Sequence, residues 1–168
     1  MLSESARVTT AHEAGFRVQY PNSRERAAKI IALDAEAAKA LEPVSREHWH
    51  GAAFFTSLSF SAPSAPGQTL DAWLNDVAGH AMNLAAEVAE ADYVVVITSA
   101  GEDSRAVSVI AEACKLRKKT LVGLILTHNG PTDEQVAASL KELRPYTRML
   151  VVASGADYIE AMLTALRA

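Results

Sequence analysis

A three-layer α/β/α architecture of Rossmann-like type, with a mostly parallel five-stranded sheet, is predicted by two features of this chain. The first is a set of short apolar runs, rich in β-branched residues, that do not alternate with polar ones. Such runs need both faces covered, as strands of a parallel sheet do. The second is that these runs are followed, after a loop, by segments with apolar residues at helical spacing. The 168 residues suit one domain spanning 1–168, with 1–15 expected to be flexible.

Taken in order, residues 16–20 read as a first strand. Residues 23–42 have two readings. As one helix, Ser23 caps it, and Ala27, Ile30, Ile31, Ala38 and Leu41 gather on one face. The alternative makes 30–33 a strand ending at Asp34, with a short helix after it. A composition dominated by helix formers favours the single helix, although Asp34 then falls inside the apolar stripe. Residues 52–58 read as a strand, and 59–68, rich in Ser, Pro, Ala and Gly, as a loop. Residues 70–91 read as one long helix with Trp73, Val77, Ala81, Leu84 and Val88 on one side. Gly79 weakens that helix without breaking it.

The second half repeats a simpler unit. Residues 92–98 form a strand and 99–104 a turn with helix-start chemistry. The helix over 105–118 places Val107, Ile110, Ala111 and Cys114 inward. Lys115, Arg117, Lys118 and Lys119 close it and suit the negative end of its dipole. Residues 120–127 form the next strand. Thr132 caps a helix with Val136, Ala137, Leu140 and Leu143 as its apolar stripe, and Pro145 ends it. A strand over 148–153 and a helix over 156–167 complete the series.

Composition narrows the function classes. Hydrophobic residues make up 49% and aromatic ones only 6%, so small and branched aliphatic groups must fill the core. The net charge of −4 gives no basic footprint for nucleic acid and no attraction to anionic lipid. Neither nucleic acid nor membrane is an expected partner. A single cysteine, Cys114, cannot form an intrachain disulfide and points to a reducing compartment. The N-terminus lacks an apolar signal core, and the apolar runs fall well short of the ~20 residues that span a bilayer. A cytoplasmic location is expected.

In an open parallel sheet, ligands sit beyond the carboxyl ends of the strands, near the point where strand order reverses. Helix N-termini point into that space and favour anions. The loop over 98–104 is therefore the best candidate. Gly101 permits close backbone approach, Ser99 and Ser104 offer hydroxyls, and the helix start offers free N–H groups. With Thr98 beside them, and Thr127 and His128 ending the next strand, the expected ligand set is Thr98, Ser99, Gly101, Ser104, Thr127 and His128. The bland alternative is plain capping, with Glu102, Asp103 and Ser104 serving the helix's own donors. The loop is neither a P-loop nor a G-x-G-x-x-G fingerprint.

His128 is also a candidate general acid or base, because imidazole titrates near neutrality. A loop histidine bonded to backbone is the alternative. His48 and His50 precede a strand and should lie at the opposite end of the sheet. With His80 on a helix, no metal set converges and no metal site is expected. Cys114, facing inward in mid-helix, is expected to be inert. Trp49, Phe54 and Phe55 belong by default to the core, or else line a pocket. The serine-rich stretch 57–64 is either a lid or an ordinary surface loop.

The buried strand from Tyr93, followed by Ile97-Thr98-Ser99-Ala100-Gly101-Glu102-Asp103, resembles the sugar isomerase (SIS) phosphosugar-binding family. That resemblance implies Thr98, Ser99 and Ser104 as phosphate ligands. The chain differs from the family at Ala100 and Asp103, where serine and threonine are usual. Residues 91–101, then Val109-Ile110-Ala111-Glu112 and Thr120-Leu121-Val122-Gly123, resemble the centre of the tubulin-like cell-division GTPases. This second resemblance implies nucleotide binding, but the glycine-rich first loop of those proteins is absent here.

The expectation is a small-molecule-binding domain for an anionic ligand, a phosphosugar or a nucleotide among the options. The alternative is a non-catalytic regulatory or oligomerisation domain. A homo-oligomer is expected in both readings, and no reaction or cofactor is assigned.

Overall fold

The strand Tyr93–Ser99 (β5) lies at the centre of a seven-stranded sheet and is buried along its whole length. A computed structural model describes residues 25–57, 73–76 and 80–168. Its elements are β1 (Ala28–Ala32), α1 (Ala35–Ser45), β2 (Ala52–Thr56), β3 (Trp73–Asp76), β4 (Ala81–Asn83), α2 (Leu84–Glu90), β5, α3 (Ala106–Leu116), β6 (Thr120–Leu126), α4 (Asp133–Leu143), β7 (Met149–Ala153) and α5 (Ala156–Ala165). The sheet order is β4-β3-β2-β1-β5-β6-β7. The five strands β2, β1, β5, β6 and β7 are parallel. β3 and β4 extend the sheet as an antiparallel pair beyond β2.

The parallel part is doubly wound. From β1 the chain steps one way to β2, then returns past β1 to β5 and continues to β6 and β7. Right-handed crossovers then require helices on opposite faces for the two directions. Two apolar layers match this. Ile30, Val95, Ile97 and Leu124 pack under α1 and α5 with Leu41, Ile159 and Leu163. Ile31, Val94, Val96 and Ile125 pack under α2, α3 and α4 with Val88, Ile110 and Leu143. Successive strand residues serve opposite layers, which is why the apolar runs do not alternate with polar residues. Each fully buried Val or Ile stabilises the fold by about 2 kcal/mol at most.

Two segments depart from the sequence reading. Residues 23–42 do not form one helix. Ala28–Ala32 is a strand, Asp34 is the N-cap, and the helix begins at Ala35. Helix propensity lost here because Ala28 to Leu33, apart from Lys29, is an unbroken apolar run whose burial between β2 and β5 outweighs it. Lys29 keeps its place by pairing with Glu87 of α2 at 2.7 Å. The strand expected over 16–20 lies outside the described residues.

Residues 70–91 are not one long helix either. β3 pairs antiparallel with β2, and Asp76 and His80 close the link to β4 through backbone N–H bonds to the Asp76 carboxylate and the His80 carbonyl. Asn83 then caps α2, its side chain accepting from Ala86 N–H at 3.1 Å. Asn75, Asp76 and Asn83 favour turns and caps over helix interiors because their side chains compete for local backbone groups. The loop expected over 59–68, and the suggested lid beyond Ser57, fall outside the described residues.

Two helices end in Schellman motifs with a basic residue, not glycine, in the left-handed position. In α3, Lys118 (φ 54°) donates to Lys115 O, and Lys119 donates to Cys114 O. In α5, Arg167 (φ 60°) and Ala168 repeat the pattern. No described helix is long and apolar enough to cross a membrane.

Gly123 of β6 lies under the turn from α4 into β7. A Cβ there would stand 2.7 Å from Leu150 Cδ1 and 2.8 Å from Thr147 Cγ2. Gly123→Ala should therefore destabilise the protein by about 1–3 kcal/mol through overpacking, measurable by urea denaturation. Cys114 is buried in the α3 layer, which pushes its thiol up to about 11. A disulfide reagent at pH 8 should find no reactive thiol in the native protein and one after unfolding.

Candidate functional site

The strand order reverses between β1 and β5, and in this architecture the position favoured for ligands lies at their carboxyl ends. Asp34 stands there. It lies two residues beyond the end of β1, and its side chain is buried. One carboxylate oxygen accepts from Ala37 N–H at 2.8 Å and so caps α1. The other accepts from Ser99 N–H at 2.7 Å and from the Thr98 hydroxyl at 2.9 Å. Leu33 N–H donates to Ile97 O at 2.9 Å beside it. A buried carboxylate is tolerable only with such partners. These bonds lock the end of β5 to the start of α1.

Ser99 extends the face of Val95 and Ile97, beneath α1 and α5. It is 2% exposed, and its hydroxyl has no hydrogen-bond partner among the described residues. The helices around the crevice differ in their starts. Thr132 and Gln135 form a complete capping box on α4. α5 begins at Gly155, with no side-chain cap and Asp157 in its first turn.

The predicted residues do not converge on one point. Ser104 is fully buried and donates to Glu142 of α4 at 2.7 Å. Gly101 takes φ 86°, a conformation that suits glycine. Its N–H donates to Ser139 Oγ at 3.0 Å, and a Cβ added there would meet the Gln135 side chain. Gly101 and Ser104 thus face α4, on the other side of β5 from the Ser99 hydroxyl. Thr98 serves Asp34. Thr127 holds the end of β7, its N–H and hydroxyl both directed at Ala153 O. His128 is exposed and lies near Glu36 of α1. Lys39, bonded to Glu36 at 2.6 Å, holds that carboxyl below its ordinary range, with smaller help from His128 and Asn129. The loop after β6 therefore reaches towards the start of α1.

Asp103 is occupied as well. Arg105 bonds it through both side chain and backbone, which lowers its carboxyl to about 2. The remaining histidines lie elsewhere. His48 and His50 stack edge to face at 5.2 Å before β2, and His80 follows β3. Trp49 packs near Phe54 and donates to Val44 O at 2.8 Å, as a core residue would.

Sequence reasoning missed Ser139 and Glu142. Ala137 was expected inward on α4 but is exposed, and Ser139 is buried instead. The signal for this was the small hydroxyl one turn before Leu143, within reach of a glycine N–H. Removing the Asp34 carboxylate orphans three donors. Asp34→Ala should cost about 3 kcal/mol, and Thr98→Val about 1 kcal/mol, both read from chemical denaturation midpoints.

No family model matches the chain, and no curated protein matches it. The sugar isomerase resemblance gains no support from them. Among solved structures, translation elongation factor SelB from Methanococcus maripaludis, in complex with the GTP analogue GPPNHP, is similar with a TM-score of 0.51 and 9% identity. The match covers 84% of this chain and 34% of that one. At this identity the likeness is one of fold, an α/β domain with a mostly parallel sheet.

Proposed function

We propose that this chain is a small-molecule-binding domain whose ligand is a phosphorylated anion, a nucleotide or a phosphosugar, held at the carboxyl rim beside Ser99. The observation that carries the reading is the buried Ser99 hydroxyl, which has no partner among the described residues at the point where strand order reverses. A buried hydroxyl left unsatisfied costs about 1–3 kcal/mol, and a ligand oxygen would remove that cost. The uncapped start of α5 at Gly155 supplies backbone N–H donors across the same face. Thr127 and His128 border the crevice, and Gly101, Thr98 and Ser104 shape the loop that frames it. The SelB structure, solved with a GTP analogue on a similar fold, favours a nucleotide within this class. With only Leu33 and Asp34 between β1 and α1, phosphate contacts fall to the loops after β5, β6 and β7.

A second reading is self-association through β7. This outer strand carries Met149 and Val152 at 40% and 43% exposure, and Tyr158 of α5 is similarly exposed. An apolar edge strand is a pairing surface, and light scattering would register a dimer.

A thermal-shift panel of nucleotides and phosphosugars tests the main reading. A ligand at 100 times its Kd should raise the Tm by about 5–10 °C. Ser99→Ala should leave the free protein about 1 kcal/mol more stable and abolish that shift. A flat response across the panel, or an undiminished one in Ser99→Ala, would sink the assignment.

A further inference from the structure

At the opposite rim of the sheet, a cavity of about 630 Å³ opens between the end of α3, the start of β6 and the turn into β7. Lys115, Lys118, Lys119 and Arg148 line it, with Glu112 as the one carboxylate. Among the described residues, none of these four cations is in an ion pair. We propose that this cavity is a second binding site, for a compact anion carrying two or three phosphate groups.

The helix dipole suits Lys115, Lys118 and Lys119 at the end of α3, but it does not account for Arg148. Arg148 comes from a distant part of the chain. Its backbone N–H donates to Leu121 O at 2.9 Å, which fixes it across from the lysines. Lys118 holds a left-handed backbone that glycine adopts at lower cost, so the ammonium is kept at a conformational expense. Four cations gathered in a chain of net charge −4 repel one another until an anion joins them. Three compact ammonium groups and one guanidinium fork match phosphate groups in a row. The volume is that of a small-molecule site.

The site is independent of the carboxyl rim, and calorimetry with inorganic tripolyphosphate separates the two. The full chain should bind tripolyphosphate saturably at one site. Lys118→Gly and Arg148→Gln should each weaken binding about tenfold. Lys118→Gly should leave the Tm unchanged or higher, because glycine relieves the left-handed backbone. Ser99→Ala should bind as the parent does. Absence of saturable heat overturns the proposal, as does binding that survives both substitutions or disappears in Ser99→Ala. Equal affinity for sulfate at matched ionic strength would reduce the effect to charge screening and overturn it too. Binding of a single-stranded oligonucleotide without tripolyphosphate binding would make this a nucleic-acid surface instead.

Discussion

The Asp34 carboxylate is the interaction on which the rest of the carboxyl rim depends. It follows a strand, caps a helix through one bond and ties that corner to the neighbouring central strand through two more. Each donor is a group that burial would otherwise leave unsatisfied. The carboxylate in turn is stable inside only because all three reach it. The same bonds direct the Thr98 hydroxyl and the Ser99 N–H towards β1, leaving the Ser99 hydroxyl as the polar group without a partner among the described residues. The most specific feature of the site is thus a consequence of the lock beside it.

The two rims of the sheet divide the chemistry. At the carboxyl rim, acidic and hydroxyl groups are mostly spent on the protein itself: Ser104 on Glu142, Asp103 on Arg105, Glu36 on Lys39. At the amino rim, cations gather around Lys118 and Arg148 with Glu112 as the one carboxylate lining the same cavity. An overall acidic charge conceals this, because net charge averages over faces that meet different partners.

The segments that misled sequence reasoning share a physical cause. Residues 28–33 have alanine and lysine enough to read as helix, yet they lie where two strands already flank them. Residues 73–83 show apolar spacing close to helical, yet Asn75, Asp76 and Asn83 turn the chain into a hairpin and a cap. The loop 98–104 was legible as a turn before a helix, and Gly101 as its pivot. That the Ser99 and Ser104 hydroxyls would fall on opposite sides of β5 was not legible, because strand pleat and helix packing decide it together.

The sequence by itself determined the class of fold. Runs such as Val94 to Ile97 and Leu121 to Leu126, interrupted only by Gly123, can be stable only with both faces covered, and the helical spacing after them supplies the cover. It also determined the cap at Thr132 and the inert burial of Cys114, since both follow from local pattern. Only the tertiary structure decided the strand order, the pairing of Asp34 with Thr98 and Ser99, and the bond of Arg148 N–H to Leu121 O that brings Arg148 to the cavity lined by Lys118. Those bonds join residues 27 to 65 positions apart. Their energies arise from burial and electrostatics that no local window of sequence contains.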